Sequence, residues 1–279
     1  INAKNDEIII GSSTTMNMYV LSHAMKYFLK PGDEIIVTNQ DHEANIGAWR
    51  RLEENGVVIK EWGLNPENGE LQIEKLKQLL TSKSKILAVT HCSNIVGTIN
   101  NLEEITNLAH ECGTYVVADG VSYAPHGFPD VKKLNVDFYA FSLYKTYGPH
   151  LGLLYGKKKI LNQLPNQNHK FLEGNVPYTL NPGGPNHEEL SCLIGISEYF
   201  ENLYNHHFSQ NNISKLEKIK KINKLISDHE EKITNKLLDF MQTKKEIKLI
   251  GKKRIQNKNR APTISFTVEG MTSKKVSDL

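Results

Sequence analysis

Short apolar runs rich in β-branched and aromatic residues alternate with amphipathic segments through the first two thirds of the chain. Runs at residues 7–10, 34–38, 57–62, 85–90, 114–118, 136–142 and 151–155 predict strands. Between them lie helical stripes. Leu21, Ala24, Met25 and Phe28 fall at i, i+3, i+4 and i+7, and Pro31-Gly32 stops that helix. Leu102, Ile105, Leu108 and Cys112 share a second stripe, which ends at Gly113, a natural left-handed cap. Strands alternating with helices in this way predict an α/β fold, a mostly parallel sheet flanked by helices on both faces.

From about Asn186 the pattern changes to two helices, the second long. Its apolar positions, Ile213, Leu216, Ile219, Ile222, Ile226, Ile233 and Leu237, recur every three, four or seven residues. The Lys-rich opposite face fits a solvated helix joining two domains, and that reading is preferred here to a coiled coil. Residues 247–249 and 263–268 predict two strands that open a second α/β domain. The expected division is a large cofactor-binding domain over 1–195, a helical connector over 196–243, and the start of a C-terminal small domain over 244–279. The small domain is expected to be truncated, since the chain starts at Ile1 without a methionine and stops at Leu279 in a polar, helix-like stretch.

Charge narrows the functional classes. The 279 residues hold 34 Lys and Arg against 31 Asp and Glu, a net +3, spread evenly apart from a basic run at 252–260. Nucleic-acid or membrane-surface binding therefore has no electrostatic support. No apolar run approaches the ~20 residues of a spanning helix. Cys92, Cys112 and Cys192 are widely spaced, with no CxxC and no paired His/Cys cluster, so neither a disulfide framework nor a metal site is expected. An intracellular, reducing compartment such as the cytoplasm fits best.

The candidate chemistry lies at the carboxyl ends of the predicted strands, where parallel α/β sheets bind ligands. Five ends carry polar clusters: Gly11-Ser12-Ser13-Thr14-Thr15, Asp41-His42-Glu43-Ala44-Asn45, Thr90-His91-Cys92-Ser93-Asn94, Asp119-Gly120, and Ser142-Leu143-Tyr144-Lys145. Residues 11–15 follow a strand and open a helix, a place suited to an anion and equally to a simple N-cap. Asp119 ends a buried strand, where its carboxylate needs a cationic partner such as a protonated pyridine nitrogen; a capping role is the plain alternative. Lys145 follows an apolar strand among apolar and aromatic residues, suited to a Schiff base, although a surface lysine reads the same way. His42 is placed to stack on a ring or to cap a helix, and Asn94 to bond a ring oxygen or hold a turn. Neither GxGxxG nor GxxxxGK[ST] follows any strand, which argues against dinucleotides and triphosphates. Taken together, the clusters supply what a pyridoxal phosphate site needs.

The stretches Thr90-His91-Cys92-Ser93-Asn94-Ile95-Val96-Gly97-Thr98, Asp119-Gly120 and Ser142-Leu143-Tyr144-Lys145-Thr146-Tyr147-Gly148-Pro149, in that order, resemble class V aminotransferases of the cysteine desulfurase and selenocysteine lyase group. The resemblance implies the type I fold of pyridoxal 5′-phosphate-dependent transferases. It implies that Lys145 is the Schiff-base lysine, that Asp119 pairs with the pyridine nitrogen, that His42 stacks on the ring and that Asn94 bonds its hydroxyl. Thr15 and Ser142 would hold the phosphate, with backbone help from Thr14; Asn45 would be structural. Three positions depart from the group. Tyr144 stands where a histidine is common, its hydroxyl still able to reach the phosphate. Ser122 replaces a glutamine beside the ring, and Gly184 replaces a threonine in the loop 182–188 that reaches a partner subunit. The substrate-binding arginine and nucleophilic cysteine of the group are expected beyond residue 279, with Cys92 a packing residue. The implied function is a homodimeric enzyme acting on a small amino acid, a desulfurase or lyase. Transamination, epimerisation and a non-catalytic dimeric scaffold are the alternatives.

Overall fold

The computed structural model describes residues 1–210 and 212–279. Its main sheet is built from β1 (Ile8–Gly11), β2 (Glu34–Thr38), β3 (Val58–Trp62), β4 (Ser84–Thr90), β5 (Tyr115–Asp119), β6 (Phe138–Ser142) and β7 (Gly152–Gly156), in the order β1-β7-β6-β5-β4-β2-β3. Only β7 runs against its neighbours; the other strands are parallel and finish at one edge. Strand limits differ from the sequence reading by a residue or two. The shift matters at β5, where Asp119 is the last paired residue, opposite Thr90 and Ala140.

The period of two along each strand divides the core. Ile35, Val37, Ile86, Ala88, Val117, Phe138 and Ala140 face one side, with Met18, Leu21 and Met25 of α1 (Thr14–Met25) and Trp49 of α2 (Glu43–Arg50). Ile36, Leu87, Val89, Val116, Ala118, Tyr139 and Phe141 face the other, with Leu76 of α3 (Ile73–Leu79) and Leu102, Ile105 and Ala109 of α4 (Leu102–Glu111). Strands apolar on both faces belong to a sheet covered on both, and each fully buried large side chain contributes about 1.5–3 kcal/mol. Two single-turn helices, α5 (Val131–Leu134) and α6 (Lys158–Leu161), complete the layers.

Beyond the sheet the sequence reading needs correction. Among the described residues three helices, not two, lie between Asn186 and Thr243: α7 (His187–Ser191), capped by the Asn186 side chain, then α8 (Leu193–His207) and α9 (Lys215–Gln242). Ser214 caps α9 in a reciprocal box with Glu217, which leaves Ile213 outside the helix. The expected stripe holds only in the first half, where Ile219, Ile222 and Ile226 pack with Phe200 and Tyr204 of α8. Further along, Thr234, Leu238 and Met241 are buried, while Ile233 and Leu237 are about half exposed, at 50% and 48%. A 3.6-residue helix rotates relative to a repeat read in threes and sevens, so the buried face drifts by one position. His126, near the rim of the main sheet, bonds Glu230 at 2.7 Å, and Asn235 bonds the backbone of Ile255. The chain then forms the antiparallel pair β8 (Ile247–Ile250) and β9 (Ser265–Val268), and α10 (Ser273–Ser277). Part of the basic run is engaged within the fold: Lys252 pairs with Glu70, Arg254 with Asp239, and Arg260 is buried. Among the described residues no helix is long and apolar enough to cross a membrane.

Candidate active site

The ends of five parallel strands deliver their polar clusters to one cavity of about 130 Å³. It is lined by Thr14, Thr15, His42, Asn94, Asp119, Ser122, Ser142, Tyr144 and Lys145, with Ser13, Ala44, Thr90, Val121 and His150. All nine residues singled out from the sequence therefore meet around one space.

One corner gathers a helix start and two hydroxyls, groups that could hold an anion. The Ser13 side chain caps α1 by accepting from the Met16 N–H at 3.1 Å. The N–H groups of Thr14 and Thr15, in the first turn, have no carbonyl of their own helix to bond and mark the positive end of its dipole. Thr14 Oγ1 lies 2.8 Å from Ser142 Oγ, tying the helix start to the end of β6. Gly152 makes this approach possible. It sits in register between Gly11 and Ser142, and a Cβ there would stand 2.3 Å from both the Ser13 carbonyl carbon and the Thr14 nitrogen. Asn17 fastens the same turn by donating to the Gly152 carbonyl at 3.0 Å.

The opposite wall is acidic. Asp119 is buried, with Oδ1 accepting from the Val121 N–H at 2.8 Å. Burial pushes its carboxyl above the ordinary range, offset in part by that N–H and by the charges of His42 and Lys145. Asp41 behind it is pushed well up by burial and by Asp119, while it accepts from the His42 N–H and from Asn45 Nδ2 at 2.8 and 2.7 Å. Asn45 is fully buried, in keeping with a structural role. His42 is both cap and wall: its Nδ1 accepts from the Ala44 N–H at 3.0 Å, so a neutral ring carries its proton on Nε2. Asn94 is exposed at the rim, in a turn where Ser93 Oγ accepts from the Val96 N–H at 3.2 Å.

Lys145 departs from expectation in one respect. It is exposed at the cavity mouth, where the sequence suggested apolar enclosure. The reason is a 3₁₀ turn over Leu143–Thr146, in which residues three apart share a face: Leu143 and Thr146 are buried, so Tyr144 and Lys145 face outward. Closure of the loop by Leu143 N–H to Leu151 O at 2.8 Å and Gly148 N–H to Leu143 O at 2.9 Å fixes this arrangement.

Two features escaped the sequence reading. His150 lines the cavity and stacks on Tyr144, centroids 4.8 Å apart and planes 10° from parallel. His91 stacks on Tyr123 at 3.7 Å and bonds the Tyr139 hydroxyl through Nδ1 at 2.8 Å, and burial lowers it to about 3, so it stays neutral. Gly120 is required there, because a Cβ would stand 2.0 Å from the Tyr139 ring. Cys92 is buried away from the cavity with Sγ 3.5 Å from the Gly97 carbonyl, and burial raises its thiol to about 12, as suits a packing residue. Arg260 gives its guanidinium to the backbone carbonyls of Lys252, Ala261 and Thr263. Residues 182–186 line a different cavity, of about 240 Å³, beside Gly11 and Asn17.

Residues 1–181 match the profile of the family described as aminotransferase class-V. The chain is 41% identical over 280 residues to the aminotransferase-like protein FGM3 of Gibberella zeae, a match covering 99% of this chain and 65% of that protein. It is 40% identical over 169 residues to a cysteine desulfurase of Serratia proteamaculans, covering 59% of this chain and 41% of the other. Among solved structures, the cysteine desulfurase CsdA of Escherichia coli aligns with a TM-score of 0.78 at 25% identity, over 97% of this chain and 65% of CsdA. The chain thus spans 65% or less of the length of each of these relatives.

Proposed function

The chain belongs to the class V aminotransferase family and has the type I fold of pyridoxal-phosphate-dependent transferases, and from that premise we propose that its strand-end cavity holds pyridoxal 5′-phosphate and acts on a small amino acid. The observation that carries this is the meeting of three unlike features in one space: a helix start with hydroxyls, a buried carboxylate and a lysine amine. Each fits a different part of the cofactor. The first turn of α1 suits a phosphate dianion, and Asp119, raised by burial, suits a protonated ring nitrogen. Bound there, the cofactor supplies an electron sink for negative charge developing on the substrate's α-carbon.

The chain's own residues then divide the work. Thr14, Thr15 and Ser142 bind the phosphate, with Tyr144 at its edge. Asp119 holds a proton on the ring nitrogen, and its burial keeps water from competing for it. Asn94 donates to the ring hydroxyl, Ser122 lies beside the same edge, and His42 orients the ring from one face. The Lys145 amine would hold the cofactor's aldehyde carbon and, when free, would move a proton at the substrate's α-carbon; exposure at the mouth leaves it reachable by an incoming amino acid.

Desulfurase or lyase chemistry is the preferred assignment. Two relatives at 40% identity are described as a cysteine desulfurase and as the cysteine desulfurase-like protein ustD of Aspergillus flavus. Transamination is the second reading, because the relative matched over 99% of this chain is described as aminotransferase-like. In the same reading the protein works as a homodimer in a reducing compartment and divides into a large cofactor-binding domain over 1–195, a helical connector over 196–243 and the start of a small domain over 244–279. Incubation of the full-length protein with cysteine or selenocysteine, scored for alanine against keto acid, separates these readings. Alanine supports the first and keto acid the second. Neither product from any tested amino acid favours a different substrate, epimerisation or a non-catalytic scaffold. Alanine formation should survive Cys92→Ala, since that thiol is buried.

A further inference from the structure

β6 and β7 pair antiparallel, with Ser142 opposite Gly152. The Leu143 N–H bonds the Leu151 carbonyl one step further on, and one step beyond that Tyr144 and His150 stack at 4.8 Å. The ladder therefore continues past the sheet as a ring pair. Both rings line the cavity that also takes in Thr14, Thr15 and Ser142. Two rings 10° from parallel cover one face of each, so toward a ligand the pair presents its outer faces and its polar edges, the imidazole nitrogens and the phenol hydroxyl.

Charge balance gives this pair a role. A phosphate monoester carries about −1.5 to −2 at neutral pH. The start of a helix supplies the equivalent of roughly half a positive charge, and the hydroxyls of Thr14, Thr15 and Ser142 supply none. The cavity lining has three basic side chains, His42, Lys145 and His150. On the reading above, the first two serve the ring and the aldehyde.

We propose that His150 is a phosphate-binding residue of the cofactor site, its ring held in place by stacking on Tyr144. The inference rests on the pyridoxal phosphate reading and adds to it the one basic side chain left for the phosphate. In it the imidazole supplies an N–H donor, and when protonated a positive charge, to the cavity that the first turn of α1 also lines.

The test compares binding of pyridoxal phosphate and of pyridoxal, which lacks the phosphate, to the full-length protein. Three forms are needed: wild type, His150→Phe, which keeps a flat ring on Tyr144, and His150→Lys, which keeps a cation without the ring. The expected result is a loss of about tenfold or more in pyridoxal phosphate affinity for His150→Phe, with pyridoxal affinity unchanged. Most of that loss should be regained in His150→Lys. Unchanged pyridoxal phosphate affinity in His150→Phe, while the wild type carries the cofactor on Lys145, overturns this inference and leaves the cofactor reading standing. An equal loss for both ligands also overturns it, since that is general distortion. A wild type that binds neither ligand overturns both.

Discussion

Gly152→Ala adds a single methyl group at the point where β7 passes beneath the first turn of α1. The new Cβ would lie 2.3 Å from the Thr14 nitrogen and the Ser13 carbonyl carbon, where ordinary contact begins at 3.4 Å. Both neighbours are backbone atoms, so the helix start must move by roughly 1 Å, because no side-chain rotation relieves the clash. That movement separates Thr14 Oγ1 from Ser142 Oγ, now at 2.8 Å, and stretches the 3.0 Å bond from Asn17 to the Gly152 carbonyl. Overpacking of this kind costs about 1–3 kcal/mol of stability. The loss to the ligand is more selective. If one or two charge-assisted hydrogen bonds to the phosphate fail, at about 1.5–3 kcal/mol each, affinity for pyridoxal phosphate falls at least tenfold. Pyridoxal affinity should change by far less. Calorimetric or absorbance titration of both ligands, with a thermal melt of the unliganded protein, reads each part separately. Unaltered stability together with unaltered pyridoxal phosphate affinity would refute the claim that α1 is seated on Gly152 to form the anion corner.

The raised carboxyl of Asp119 has a signed consequence for stability. A group protonated more readily in the folded state disfavours folding once the pH rises above its unfolded value near 4. Asp119→Asn should therefore stabilise the unliganded protein at neutral pH, by about 1–3 kcal/mol if one buried, poorly paired oxygen is relieved. The gain should vanish toward pH 4, and turnover with cofactor should drop; equal melting curves for variant and wild type at neutral pH would contradict this. His91 acts in the opposite direction on acidification. Lowered to about 3 in the fold, it must gain a proton on unfolding below about pH 6.5, so stability should fall by up to about 1.4 kcal/mol per pH unit from there toward pH 3. His91→Gln should flatten that slope, and an unchanged slope would remove His91 as its source. Cys92, with its thiol raised to about 12, should resist alkylation at pH 8 in the folded protein, while exposed Cys192 reacts; rapid labelling of Cys92 would mean that it is not enclosed.

The site was more legible in the sequence than the helical part of the fold, and for a physical reason. Parallel strands all finish at one edge, so finding strand ends is enough to bring Thr14, Asp119 and Lys145 together without knowing how the strands are ordered. His150 was out of reach because it depends on direction. The run at 151–155 announces a strand, but nothing in it shows that β7 turns back on β6, and only that reversal places position 150 opposite 144. The pairing would have been open to inference from the short connection between the two strands, too short for a crossover helix. The stack of His91, Tyr123 and Tyr139 draws on three separate segments, and no local spacing signals it. In α9 the apolar period was read correctly as helical, but which stripe is buried depends on neighbours from α8 and from the 255–261 segment.

The central claim is that the cavity at the strand ends holds pyridoxal phosphate through Lys145, and borohydride reduction of the cofactor-loaded full-length protein followed by peptide mapping tests it most directly. The account predicts a pyridoxyl group on the peptide containing Lys145, and no label in Lys145→Ala. Label on any other lysine, or none on a protein saturated with cofactor, would contradict it.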